Sequence, residues 1–273
     1  MKRPLSLSPL VLAFALAVAA CGGGSQPSQA GSQAVSDQPS TEPAPVKPGP
    51  PVDPATAGRL TGRVVFQGTP PPNPPIAMTT DPVCTAASKG TTPHEEWYEV
   101  GPNGGLGDVF VYVKSGLANH SYPVPTTPVT IDQKGCQYEP HVFGIRAGQP
   151  LLILNSDPTL HNIHAMAQVN QEFNTGQPLQ GMKTTHVFTD PEVMLPFKCD
   201  VHRWMHAYAG VMPDPYFAVS GRDGAFSIDT LPPGHYVLAA WHEKLGEQTM
   251  NVTIDPKQTA QVTFTFDAPK ATK

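Results

Sequence analysis

The chain reads as an all-β protein, and three observations predict it. Short runs of Val, Ile, Phe and Tyr alternate with polar residues, the period of a half-buried strand. Gly, Pro, Asn and Asp close these runs, and 33 prolines in 273 residues leave little room for helices. Long helical periodicity is absent.

Residues 1–20 stand outside the fold. Lys2 and Arg3 make a basic start, and Leu10 to Ala20 is an apolar run too short to span a bilayer. Val18-Ala19-Ala20 then sets small residues before Cys21. That junction resembles the lipobox of bacterial lipoproteins, which implies cleavage before Cys21 and lipidation of its thiol; an ordinary secretory leader is the alternative. Residues 21–57 form a Pro/Gly/Ser linker, with eight prolines and too few apolar side chains to offset chain entropy. As a flexible coil it would hold the folded part roughly 35 Å from its anchor.

The folded part opens with a strand over Leu60 to Gln67, which alternates and ends at Gly68. Residues 69–104 are rich in Pro, Thr and Gly and read as loop, and Asp108 to Lys114 is a second strong strand. Further strands are expected at Val129–Asp132, His141–Ile145 and Leu151–Leu154, the last entered through a turn at Gly148-Gln149-Pro150. Thr185–Phe188, Val193–Phe197 and Ala207–Val211 follow. Asp223-Gly224 is a hairpin signal, and Pro233-Gly234 marks another turn.

The densest chemistry lies in Phe197-Lys198-Cys199-Asp200-Val201-His202-Arg203-Trp204-Met205. A thiolate, an imidazole and a thioether fall within seven residues, so one loop can turn all three toward one point. His161 stands 38 residues before Cys199, at the end of an apolar run. Two His, one Cys and a weak Met make the donor set of a mononuclear blue-copper electron-transfer site. Cys199 would bind as thiolate, His161 and His202 through nitrogen, and Met205 as the long axial ligand that tunes the potential. His206 is the alternative axial donor and would give a harder, lower-potential centre. Strand alternation puts His164 on the face opposite His161, outside the ligand set.

Residues 127–213 resemble a cupredoxin, the small Greek-key β-sandwich, in the turn glycine, the strand ending in Asn155, the His161-Asn162 pair and Cys199-x-x-His202-x-x-Met205. The amicyanin type is nearest in loop spacing. The resemblance implies that Asn162 ties the two ligand loops together, and that the outer edge of His202 reaches the surface as the electron port. Two departures are the Arg203 that replaces the usual Pro and the Trp204 that replaces Phe. The segment from Gly221 through Leu231-Pro232-Pro233-Gly234-His235-Tyr236 resembles the carboxypeptidase-regulatory, transthyretin-like β-sandwich, whose opening strand matches Gly62-Arg63-Val64-Val65. The expected layout is a transthyretin-like sandwich of 58–116 and 214–268 with the cupredoxin, 117–213, inserted in it. Two consecutive domains are the alternative.

The four cysteines then sort by role: Cys21 the anchor, Cys199 the ligand, and Cys84 with Cys136 an expected disulfide of an exported protein, two separate thiols or further metal ligands being the alternative. Trp241-His242-Glu243-Lys244 lacks the second His of a zinc helix motif, so His242 and Glu243 are expected on the surface of the last hairpin. His141, His186 and His235 have no sequence partners and are assigned structural roles. The formal charge of −5 has no basic cluster behind it, which argues against nucleic acid. The expected activity is electron transfer with copper as cofactor and no enzymatic turnover. The partners are a redox protein and a membrane reached through the lipid anchor, on the periplasmic side or cell surface. A copper carrier and a structural surface lipoprotein are the competing functions.

Overall fold

The computed structural model describes residues 49–270, so the leader, Cys21 and the linker up to residue 48 lie outside the described residues. The described chain is almost entirely β, with sixteen strands in four sheets.

The first sheet is ordered β13-β1-β16, from Ala225–Leu231, Gly58–Gln67 and Thr259–Asp267. The second is β12-β2-β14-β15, from Phe217–Val219, Phe110–Ser115, Gly234–His242 and Gly246–Ile254. The third is β5-β11-β10-β7-β8, from Val142–Arg146, His206–Met212, Glu192–Lys198, His161–Ala165 and Phe173–Gln177. The fourth is β4-β3-β6-β9, from Gln137–Glu139, Val129–Lys134, Pro150–Asn155 and Lys183–Val187. Sheets one and two use only strands that flank residues 117–213, and sheets three and four use only strands within them. β1 sits between β13 and the parallel β16, so the two ends of the folded chain share one sheet.

Strand periodicity explains how the sheets stack. Leu60, Val64, Val111, Leu238 and Phe264 fill a core between sheets one and two, and Ile131, Ile145, Leu151, Ile163 and Phe197 fill one between sheets three and four. The alternate residues of the inner strands make a third apolar layer: Phe110 and Tyr112 of β2, Ala239 of β14, and Val142 and Met212 of the third sheet. Sheets two and three therefore pack face to face. Two glycines permit the approach. A Cβ on Gly144 would lie 2.2 Å from the Phe217 ring, and one on Gly210 would lie 2.2 Å from the Phe110 ring.

The region expected as loop contains one short helix, α1 (Pro82–Ala87). Asp81 caps it, accepting from the backbone N–H of Val83 and Cys84, and Pro82 takes the first turn where no N–H is needed. A Cys84–Cys136 disulfide ties this helix to the turn between β3 and β4. Its function follows from what it covers.

Candidate metal centre

Cys199, His202 and Met205 occupy the loop between β10 and β11, while His161 begins β7 on the adjacent strand of the same sheet. The loop is closed by its own backbone: Met205 N–H donates to the His202 carbonyl at 2.9 Å, and Cys199 N–H to the Met205 carbonyl at 3.0 Å. The His202 N–H donates to Cys199 Sγ at 3.3 Å. Nδ1 of His161 lies 2.9 Å from Nδ1 of His202, and a donor atom from each of His161, Cys199 and His202 falls within 4.8 Å of the others. Met205 is buried in the same apolar core as Cys199. Exposures of 0 % for His161, 1 % for Cys199 and Met205, and 3 % for His202 leave these donors dry.

Each histidine is oriented from behind by a carboxylate. His161 Nε2 is 3.0 Å from Asp157 Oδ2, and His202 Nε2 is 3.1 Å from Asp81 Oδ2. Asp157 in turn accepts the N–H groups of Gly135 at 2.9 Å and Cys136 at 2.8 Å. Carboxylates accept, so both Nε2 atoms donate and both Nδ1 atoms turn inward, the arrangement that fixes tautomer and aim in metal-ligating histidines. Two inward Nδ1 atoms this close need a shared proton or a cation between them.

The electrostatics agree. Burial works against the His161 imidazolium, but the Asp157 hydrogen bond and the Cys199 sulfur outweigh it and push the pKa up to about 9. Burial likewise opposes the Cys199 thiolate, yet the His161 contact and the surrounding backbone N–H groups hold the thiol below its ordinary value. Desolvation alone would raise Asp157, and its hydrogen bonds to His161 and to the N–H groups of Cys136 and Gly135 leave it lowered instead. Burial brings His202 below the ordinary imidazole range. A thiolate and two imidazole nitrogens in a dry pocket fit a borderline-soft ion such as copper.

Asn162 bridges the two ligand segments. Its Oδ1 accepts the N–H of Asp200 at 2.8 Å and of Val201 at 3.3 Å, and Cys199 Sγ lies 3.3 Å away. His164 turns elsewhere, to Asp200 at 3.2 Å and to Glu172. His206 also leaves the cluster: alternation along β11 sends Ala207, Ala209 and Val211 into the core of Cys199, and His206 with Tyr208 toward the second sheet.

Two expectations are corrected. The His202 ring edge does not reach the surface, because Asp81 and the disulfide, with Cys84 Sγ 3.7 Å from Nε2, lie over it. Glu243 and His242 are not surface residues: the Glu243 side chain is 4 % exposed and His242 is 2 % exposed. His141, which has no partner nearby in the sequence, finds one from another sheet: its Nε2 stands 3.0 Å from Glu243 Oε1. Arg203 is exposed, and Trp204 packs on the disulfide cluster while its Nε1–H donates to the Cys136 carbonyl at 2.9 Å.

Sequence reasoning missed Asp81 and Asp157. Asp157 stands four residues before His161 and was within reach of a local argument. Asp81 is 121 residues from His202, and its only signal was the Asp-Pro start of a helix.

No protein-family model matches the chain, and no curated protein matches it. Among solved structures the chain is similar to a Cu-containing nitrite reductase (NirK) from Thermus scotoductus SA-01, at 21 % identity and a TM-score of 0.30. That match covers 36 % of this chain and only 25 % of the reductase. It is similar to a purple cupredoxin from Nitrosopumilus maritimus, at 23 % identity and a TM-score of 0.26, over 30 % of this chain and 98 % of that one. A Cu(I) form of an amicyanin variant matches at 18 % identity and a TM-score of 0.28, over 38 % of this chain and 99 % of that one. Each of these likenesses covers less than two fifths of this chain.

Proposed function

We propose that the chain is a type 1 copper electron-transfer protein, with copper held by Cys199, His161 and His202 and Met205 as axial ligand. The observation that carries this reading is the convergence of Cys199 Sγ with two inward Nδ1 atoms in a pocket at most 3 % exposed. Copper in such a site supplies a one-electron Cu(I)/Cu(II) couple. The protein's part is to hold the donors still. Asp157 and Asp81 fix the rings, Asn162 fixes the loop, and α1 with its disulfide excludes water. On this reading the chain is an electron carrier and not an enzyme, which the enclosure of the donors supports.

The covered His202 edge moves the contact with a redox partner onto the α1 cap. Leu160 and Val201, 44 % and 48 % exposed, each stand one residue before a ligand histidine and offer apolar surface to that partner. The same reading takes the protein as exported and tethered to a membrane through lipidated Cys21, on the periplasmic side or cell surface.

Copper-loaded full chain is expected to be intensely blue or green, and Cys199→Ser to lose that absorption. His161→Ala is expected to weaken copper binding strongly. A colourless copper-loaded protein, or a Cys199→Ser variant with the original spectrum, overturns the reading.

A further inference from the structure

Outside this centre, a second constellation of donors lies where sheets two and three meet. His141 immediately precedes β5, His206 begins the neighbouring β11, and Glu243 occupies the hairpin between β14 and β15. A donor atom from each falls within 4.8 Å of the others. The three come from positions 102 and 37 residues apart from Glu243, which explains why the incomplete zinc motif around His242 concealed them.

Hydrogen bonding sets the tautomers. His141 Nδ1 is 3.2 Å from the His206 carbonyl, and His206 Nδ1 is 3.0 Å from the Trp204 carbonyl. A carbonyl only accepts, so both Nδ1 atoms carry protons and donate. The Nε2 of each ring is then left to meet Glu243. Both Nε2 atoms face one carboxylate: His141 Nε2 stands 3.0 Å from Glu243 Oε1, and His206 Nε2 stands 3.6 Å from Glu243 Oε2. A carboxylate accepts, so each Nε2 meets Glu243 through a proton of its own or through a cation held between them; burial opposes the His141 imidazolium, but the Glu243 hydrogen bond outweighs it. His206 Nε2 and Glu243 Oε2 are moreover buried atoms with no hydrogen-bond partner.

Besides the two imidazoles, Glu243 pairs with Lys244, whose Nζ is 3.7 Å from Oε2 and drawn over the Trp97 ring. Glu95 adds negative charge, 3.8 Å from His206 Nδ1, and Glu96 adds more, 4.0 Å from His141 Nδ1. A small pocket lined by Glu95, Glu96, His141 and His206 opens beside the cluster and can admit a water as a further ligand.

We propose that His141, His206 and Glu243 form a second metal site, for a divalent transition-metal cation of the zinc class. Two imidazoles and a carboxylate without a thiolate are the donors such an ion takes, and tetrahedral bonds of about 2.0–2.1 Å put neighbouring donors about 3.3 Å apart. The contacts of 3.0 and 3.6 Å bracket that separation. The ion joins the hairpin of the second sheet to the third sheet, one residue beyond Met205. It stiffens the exit of the copper loop without sharing a ligand with it. This site stands independently of the copper reading.

The test is zinc binding by full chain carrying His161→Ala and Cys199→Ser, which removes the first centre. After chelation, incubation with Zn2+ and desalting, elemental analysis is expected to find one zinc per chain and melting to move upward. Adding His206→Gln and Glu243→Gln is expected to weaken zinc binding at least 100-fold. No zinc in the first protein, or zinc kept by the second, overturns the proposal. Because these variants can fail to fold, unsubstituted full chain is also followed by imidazole nitrogen NMR. Zn2+ is expected to shift Nε2 of His141 and His206 and leave both Nδ1 protons in place; Nε2 resonances that stay put under saturating Zn2+ overturn it.

Discussion

Asn162 shows how much one side chain contributes to the copper loop. Its Oδ1 gathers the N–H groups of Asp200 and Val201 beside Cys199, and its Nδ2 donates to Asn174 at 2.7 Å. In Asn162→Ala those loop donors lose their acceptor in a water-poor place, at a cost of about 2 kcal/mol. For a domain of this size that is a melting-temperature drop of roughly 4–8 °C by calorimetry. An unchanged melting temperature would show the bridge to be dispensable. The axial position is tested beside it. Met205 points into the core of Cys199 and His206 into the layer against sheet two. Met205→Gln is therefore expected to keep the thiolate colour and lower the reduction potential, with His206→Ala leaving the visible band in place; a band transformed by His206→Ala alone would move the axial role.

At the scale of elements, the cap over His202 depends on a cross-link. Cys84 and Cys136 are 52 residues apart, and a loop of that length loses about 4 kcal/mol of closure constraint when the bond is removed. Cys84→Ser with Cys136→Ser is expected to destabilise the fold by that order in denaturant titrations and to admit solvent to His202. Equal midpoints for the two proteins would exclude the role. β10 offers an acid-sensitive element of a different kind. Glu192, 8 % exposed, accepts from the backbone N–H of Gln168 at 2.7 Å, Val169 at 3.3 Å and Asn170 at 3.0 Å. Burial would raise its pKa, but these bonds and that of the Asn170 amide outweigh it and leave the carboxyl lowered. A lowered carboxyl stabilises fully above its unfolded value near 4.5, and that stability is lost as pH falls through the folded value. Glu192→Gln is expected to cost about 2 kcal/mol at pH 7, with the gap to wild type closing in acid. A gap constant from pH 7 to pH 3 would contradict the argument.

Across the whole molecule, the strands before residue 116 are central, not peripheral. β1 lies between β13 and β16, and β2 between β12 and β14. A fragment of residues 214–273 therefore lacks the middle strand of both its sheets and is expected to give an undispersed amide NMR spectrum. A dispersed spectrum would show that the C-terminal strands fold without them. The stacking of sheets two and three makes its own demand. Gly210→Ala drives a methyl to 2.2 Å from the Phe110 ring, and overpacking of this kind costs about 1–3 kcal/mol in thermal or denaturant unfolding.

Much of the fold was legible because strands are short and their period is local. Leu60 to Gln67, Leu151 to Leu154 and Val193 to Phe197 each declare themselves within a few residues, and all lie in strands. The donors Cys199, His202 and Met205 were equally legible, since one loop carries them. What spans distance was not. β11 reads as one buried strand, yet its odd positions enter one core and its even positions another, and only packing assigns a face to each. Asp81 reaches His202, and Glu243 reaches His141 and His206, across more than thirty residues of chain in every case. The sequence by itself determined an all-β chain with a thiolate–imidazole loop. The tertiary structure decided that the loop is capped, that His206 faces away from it, and that a buried carboxylate meets two distant imidazoles. The physical reason is that strand period and ligand spacing are properties of neighbours in the chain, whereas burial of a charge depends on whatever surface another sheet brings against it.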